Sequence, residues 1–120
     1  LQYAYVRTNS ILQKATEHPD LKNISVYDVQ YLTAGEYHII KKIVELKQLL
    51  ANISHNYQVH LLTYYLLDLA NAFHYYYHHN RVIEPKTVGQ SRGRLLLTML
   101  VKENFDRCLR LIGVSQPEKM

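Results

Sequence analysis

The chain has 120 residues, of which 48% are hydrophobic and 20% charged, and it carries a formal net charge of +4. This length and balance are typical of one globular domain and exclude an intrinsically disordered chain. Because Gly (4) and Pro (3) are scarce and long segments are periodic, the composition favours an all-α fold. A sequence pI of about 9.2 is compatible with a nucleic-acid partner, although many basic domains bind nothing anionic.

Several sequence features bear on the cellular location of the chain. The single cysteine, Cys108, excludes an internal disulfide and fits a reducing compartment. No apolar run approaches the roughly 20 residues needed to span a bilayer, and no signal peptide is evident. We therefore predict a cytoplasmic protein. Because the chain lacks an initiator Met and opens within a helical pattern, we expect it to be a piece of a longer protein.

Two helices are predicted in the first half of the chain. The first spans about Leu1–Glu17 and is stopped by Pro19, since the residue before a proline avoids the α region. The second opens at Thr33, where Glu36 completes a capping box. Apolar residues recur at helical spacing in both and predict the core faces: Leu1, Ala4, Tyr5, Thr8, Ile11, Leu12 and Ala15, then Ile39, Ile40, Ile43, Leu46, Leu50 and Ile53.

Two further helices are predicted in the second half. The third spans about Tyr57–Asn80, and the fourth begins near Ser91 and ends at Gly113, a residue suited to a helix C-terminus. Their predicted core lines are Val59, Leu62, Leu66, Leu69, Phe73 and Tyr76, then Leu97, Leu100, Val101, Asn104, Cys108 and Leu111. The four helices together predict a helical bundle.

The stretch "LANAFHYYYHHNRVI" concentrates tyrosine and histidine within the third predicted helix. His74 and His78 are four residues apart and share a helix face, but zinc needs three or four ligands and no carboxylate lies beside them. The chain has no G-x-S-x-G, P-loop or G-x-G-x-x-G motif. We therefore predict neither a metal site nor catalytic residues.

Stacking surfaces for bases are the remaining interpretation. Consecutive rings at 75–77 span about 200° of a helix, so they cannot all point inward. Arg81 follows just beyond this helix, and Tyr3 and Arg7 share a face of the first helix. Single-stranded nucleic acid uses exposed rings for its bases and basic side chains for its phosphates. Taken alone, the pair of Tyr3 and Arg7 fits an ordinary surface contact equally well.

Five segments, in order, carry a further pattern: "LQYAYVRTNSILQKA" (Leu1–Ala15), "EYHIIKKI" (Glu36–Ile43), "HLLTYYLLDLANAFHYYYHHNRVI" (His60–Ile83), "SRGRLLL" (Ser91–Leu97) and "LRLIGVSQPEKM" (Leu109–Met120). Together they resemble the C-terminal domain of class I arginyl-tRNA synthetases. Val59, Asn80 and Lys119 depart from the family's usual Pro, Cys and Arg, and residues 18–33 match no pattern.

The resemblance implies that residues 1–120 form a DALR-type helical domain that binds the tRNA anticodon loop. A separate catalytic domain of the same chain would attach arginine to its tRNA using ATP, while this part holds no cofactor. The expected partners are arginine tRNA isoacceptors and that catalytic domain, with neither a membrane nor DNA. From the resemblance and the position of Arg81, the expected RNA-binding residues are Tyr3, Arg7, Tyr76, Tyr77, Arg81 and Met120.

Two alternatives stay open at this point. One is an anticodon-binding domain of another synthetase, such as the glycyl β-subunit or a cysteinyl enzyme. The other is a helical protein-interaction module that binds no RNA.

Overall fold

Four α-helices build the protein in a computed structural model, which describes residues 2–56, 60–84 and 87–113. The helices are α1 (Gln2–Ala15), α2 (Tyr37–Asn56), α3 (His60–His79) and α4 (Val88–Ile112). Short 3₁₀ helices at Pro19–Leu21, Val26–Tyr31 and Ala34–Glu36 connect α1 to α2. No strand occurs in the described ranges, and the all-α prediction is confirmed.

The helix boundaries differ slightly from the predicted ones. Helix α1 ends two residues before the predicted Glu17, and α4 begins three residues before the predicted Ser91. The predicted capping box at Thr33 is confirmed: the Thr33 amide donates to Glu36 Oε1 at 3.0 Å. It opens a 3₁₀ turn that leads into α2. The predicted start of the third helix at Tyr57 lies outside the described residues.

Helix α4 lies at the centre of the fold and packs against α1, α2, α3 and the 3₁₀ helix Val26–Tyr31. Its buried residues are Ser91, Gly93, Leu95, Leu96, Leu97, Thr98, Val101, Phe105, Cys108 and Leu109. This arc is wider than a single stripe because neighbours cover the helix on several sides. The prediction that Leu111 lies in the core is wrong. Its side chain is 57% exposed, because the helix is covered on the side of Leu109.

The predicted core lines of the other helices are largely confirmed. Their buried members are Ala4, Tyr5, Thr8, Ile11 and Ala15 on α1, Ile39 and Leu46 on α2, and Leu62, Leu66, Leu69, Phe73 and Tyr76 on α3. Of the remaining α2 line, Ile40, Ile43 and Leu50 are half-buried against this core. The bundle therefore forms one continuous hydrophobic core.

Arg92 of α4 fixes the connection between α1 and α2, which no sequence pattern explained. Its Nε donates to Asp28 Oδ1 at 2.9 Å, and its other nitrogens donate to the carbonyls of Asp20, Lys22 and Asn23 at 2.9–3.2 Å. Asp28 is buried and also accepts from the Ser25 amide at 2.8 Å. One guanidinium thus satisfies the polar groups of a segment that has little apolar periodicity.

Two glycines of α4 allow this segment to lie against the helix. A Cβ atom at Gly89 would lie 2.9 Å from the ring of Tyr31, and one at Gly93 would lie 3.2 Å from the Asp28 carbonyl oxygen. Both distances are shorter than an ordinary van der Waals contact, so a larger residue at either position would force its neighbour to shift. The two glycines of the "VGQSRGR" sequence therefore let the 3₁₀ helix Val26–Tyr31 pack closely against α4.

No helix within the described ranges is long and apolar enough to cross a membrane.

Replacing Arg92 should destabilise the connection between α1 and α2. We expect Arg92→Ala to lower the free energy of unfolding by about 2–4 kcal/mol, because it leaves the Asp28 carboxylate and several carbonyls without their donor. Urea denaturation measures this change. The control is Arg107→Ala, an exposed arginine of the same helix, which should change stability by no more than about 0.5 kcal/mol. Equal losses in both variants would contradict the role of Arg92.

The same ion pair predicts a pH dependence. Burial alone would raise the pKa of Asp28, but the hydrogen bonds from Arg92 and Ser25 and the charge of Arg92 lower it below its ordinary value. The carboxylate therefore stabilises the fold fully above its unfolded-state pKa of about 4, and this stabilisation is lost as pH falls through the lower folded-state value. The stability difference between wild type and Asp28→Asn, from urea titrations, should shrink below about pH 4. A constant difference would contradict this assignment.

Candidate nucleic-acid interface

Arg7 of α1 and Tyr77 of α3 meet on the surface where these helices pack together. The Arg7 guanidinium carbon lies 4.3 Å from the centre of the Tyr77 ring. Both side chains are half-buried, and this cation–π contact holds the guanidinium over the ring. Within the described residues, Arg7 forms no ion pair with a carboxylate. Its charge and its N–H edges are therefore available to an outside ligand.

A groove of about 430 Å³ runs beside this contact, and we call it the α1–α3 groove. It is lined by Tyr3, Ala4, Arg7, Ala70, Asn71, His74 and His78. The Tyr3 side chain is 66% exposed, so a face of its ring is open. None of these lining residues is acidic, and the groove is therefore suited to an anionic, ring-containing ligand.

A second cavity of about 480 Å³ adjoins the first, and we call it the Tyr77 cleft. Its lining residues are Ile11, Lys14, Glu17, His18 and residues 77–83. Lys14 and Arg81 make the cleft basic, and Glu17 is the only acidic residue among the described ones that line it. His78 lines both cavities, so the two form one continuous surface across α1 and α3.

The structure brings together four of the six predicted RNA-binding residues. Tyr3 and Arg7 line the α1–α3 groove, Tyr77 contacts Arg7, and Arg81 lies at the Tyr77 cleft with its side chain 73% exposed. Arg81 also approaches Glu84, with 3.9 Å between Nη1 and Oε2. Met120 lies outside the described residues.

Tyr76 requires a correction, because its side chain is only 4% exposed and offers no face to a base. One residue along a helix turns about 100°, so Tyr76 follows the core line of Phe73 while Tyr77 reaches the surface. The Tyr76 hydroxyl lies near Glu36 and Arg94 but meets neither in hydrogen-bonding geometry. Its burial raises the pKa of Tyr76 above the ordinary value.

Sequence reasoning did not assign Asn71, His74 or His78 to RNA binding, and it considered the two histidines only as metal ligands. Asn71, His74 and His78 line the α1–α3 groove, and Lys14 lines the Tyr77 cleft. The available signal was their helical spacing, since positions three and four apart share a face. Within the parts of the chain that the structure describes, no three His, Cys, Asp or Glu side chains cluster in a way that could hold a metal ion.

Comparison with known proteins identifies the class to which this domain belongs. The family model described as "DALR anticodon binding domain" matches residues 1–120, and the chain belongs to that family. No solved structure shows a significant match to the chain.

Curated relatives of the chain include arginine–tRNA ligases. The enzyme of Aquifex aeolicus is 38% identical over 125 residues, covering 100% of this chain and 21% of the relative. Those of Lactococcus lactis subsp. lactis and Bacillus subtilis are each 35% identical over 120 residues, covering 100% and 99% of this chain. The chain spans about a fifth of the length of these relatives.

The buried hydroxyls of α3 provide a test of the site geometry. Tyr76→Phe should leave the free energy of unfolding unchanged or raise it by up to about 1 kcal/mol, because it removes a buried polar group without a partner. Tyr65→Phe is the matched control. Its hydroxyl donates to the Lys42 carbonyl and accepts from Asn104 Nδ2 at 3.2 Å, so we expect a loss of about 1–2 kcal/mol. Thermal denaturation compares the two, and a larger loss for Tyr76→Phe would contradict its placement.

Proposed function

We propose that this chain binds the anticodon loop of tRNA across α1 and α3, as the anticodon-binding part of an arginine–tRNA ligase. The observation that carries the proposal is the Arg7 guanidinium held against Tyr77, beside the exposed ring of Tyr3, in a groove whose described lining residues include no acidic one. The family to which the chain belongs and the names of its relatives support the same conclusion.

The geometry assigns a different task to each side chain. The open face of Tyr3 stacks on an unstacked base, and stacking of this kind tolerates any base. Arg7 keeps one face on Tyr77, and its N–H edges bind a phosphate or the edge of a base. Because Tyr77 lines the adjoining cleft and Arg7 does not, a second base reaches the Tyr77 ring from the cleft. Lys14 and Arg81 hold phosphates along the same path.

The rest of the reaction belongs to the part of the enzyme outside this chain. In this proposal the catalytic domain uses ATP to activate arginine and holds the acceptor end of the tRNA, and the enzyme works in the cytoplasm. The preferred tRNAs are the arginine isoacceptors. Simultaneous contact at both ends of the tRNA raises the overall affinity above that of the anticodon contact alone.

The assignment is tested by removing one side chain at a time. Tyr3→Ala should weaken binding of an arginine tRNA by about 1–3 kcal/mol, the usual contribution of one stacked base. Arg7→Ala should weaken binding and also make log Kd less dependent on log salt by about 0.7, the value for one phosphate contact to a single strand. Filter binding at several salt concentrations measures both effects. In the full-length enzyme, Arg7→Ala and Tyr77→Ala should raise KM for tRNA and leave arginine activation unchanged.

Matched controls lie away from this surface. Tyr27 is 80% exposed on a 3₁₀ helix, and Arg107 is exposed on α4. We expect Tyr27→Ala and Arg107→Ala to retain wild-type affinity. Unchanged affinity in both Tyr3→Ala and Arg7→Ala would refute the assignment. Wild-type binding that does not weaken as salt rises would favour a protein-interaction module instead.

A further inference from the structure

Two histidines of the α1–α3 groove form a direct contact that the proposed mechanism does not use. His74 Nε2 and His78 Nε2 are 3.0 Å apart, and the rings meet edge-on with their centres 4.5 Å apart. Both side chains are exposed, and both line the groove beside Tyr3 and Arg7. A contact at this distance needs one N–H donor and one nitrogen lone pair, so a single proton lies between the two nitrogens.

The acceptor nitrogen of this contact carries no hydrogen, and its lone pair is directed at the other ring beside an electropositive groove. From α1, Arg7 contributes a positive charge and Tyr3 a ring. On α3, Asn71 lines the groove, and Tyr77 lies beside His78 with 6.1 Å between the ring centres. Asp68, earlier on α3, is bound to Lys42 at 3.3 Å. None of the described residues that line the groove carries a carboxylate, so an added proton lacks a local counter-charge until an anion enters.

The charged and titratable groups of the adjoining Tyr77 cleft lie further along the same surface. They are Lys14, Glu17, His18, His79 and Arg81. Among them His79 is engaged with its own helix, since its Nδ1 lies 2.8 Å from the Tyr75 carbonyl oxygen. The cations Lys14 and Arg81 outnumber the carboxylate of Glu17 here. This part of the surface therefore also favours binding of an anion before uptake of a proton.

We propose that His74 and His78, together with Arg7, bind one phosphate of the RNA and take up one proton when they do so. Protonation of the acceptor nitrogen ends the contact between the rings, because both Nε2 atoms then carry hydrogen. Both N–H groups turn toward the groove, and each donates to a phosphate oxygen while the pair carries one positive charge. This inference rests on the proposed function, since it adds residues to the same RNA-binding surface.

Thermodynamic linkage gives the sign of the effect. The complex holds one more proton than the separated molecules, so the affinity for RNA rises as pH falls. The change occurs between about pH 8 and pH 5, where imidazoles change charge, and approaches about tenfold per pH unit when coupling is complete. The protonated pair also neutralises one more phosphate, which steepens the salt dependence.

The test compares two double variants of the chain, with the anticodon stem–loop of an arginine tRNA as the probe. The first is His74→Gln/His78→Gln, which removes the pair but keeps polar side chains that favour a helix. The second is the matched control His38→Gln/His60→Gln, which removes exposed imidazoles on α2 and at the start of α3, outside both cavities. Circular dichroism confirms that each variant keeps the helical content of the wild type.

Fluorescence anisotropy then gives Kd at about pH 8 and about pH 6, over a range of salt concentrations. Wild type and control should bind roughly five- to tenfold more tightly at the lower pH, with a salt slope steeper by about 0.7. The His74→Gln/His78→Gln variant should change by less than about twofold and keep one salt slope at both values.

Two results would overturn the inference while leaving the proposed function in place. One is salt-dependent wild-type binding with the same Kd at both pH values. The other is a His74→Gln/His78→Gln variant that keeps the full pH response of the wild type. Absence of salt-dependent binding by the wild type at either pH would instead overturn the proposed function, and this inference with it.

Discussion

Helix α4 has to be covered on most of its sides, and that requirement positions the other elements. Its buried arc runs from Ser91 to Leu109, and α1, α2, α3 and the 3₁₀ helix Val26–Tyr31 all pack against it. Helices α1 and α3 consequently lie side by side on a common support. Their outward faces meet where Arg7 contacts Tyr77, so the candidate RNA surface is a consequence of how the core is closed.

Two arginines of α4 hold the loops that follow α1 and α3 in place by hydrogen bonds. Arg92 binds the connection between α1 and α2, a segment without an apolar stripe of its own. Arg94, two residues further along the helix, points to another loop: it donates to the Arg81 carbonyl at 2.8 Å and to Asn80 Oδ1 at 3.4 Å, both just after α3. The rim of the Tyr77 cleft is therefore tied to the central helix, and the candidate RNA surface is fixed before any ligand binds.

Sequence periodicity predicted the four helices and most of their core residues, because each apolar line is local along the chain. The prediction that Leu111 is buried was wrong, because the sequence does not show which side of α4 is covered. Periodicity placed Tyr76 in the core, correctly, whereas the family resemblance placed it at the RNA. The contacts of Arg92 with Asp28 and of Arg7 with Tyr77 join residues far apart in sequence, and no local pattern encodes them. The His74 pair was noticed only as a metal candidate, since its proton-sharing contact depends on side-chain rotamers.

The central claim is that RNA binds across α1 and the C-terminal half of α3. Backbone amide chemical shifts, recorded while an arginine anticodon stem–loop is added, test it without any substitution. The account predicts that the largest changes fall on α1 around Tyr3 and Arg7 and on α3 from Asn71 to His79, with little change on α2. Changes concentrated on the 3₁₀ helix Val26–Tyr31 or on α2, with α1 and α3 unaffected, would contradict it.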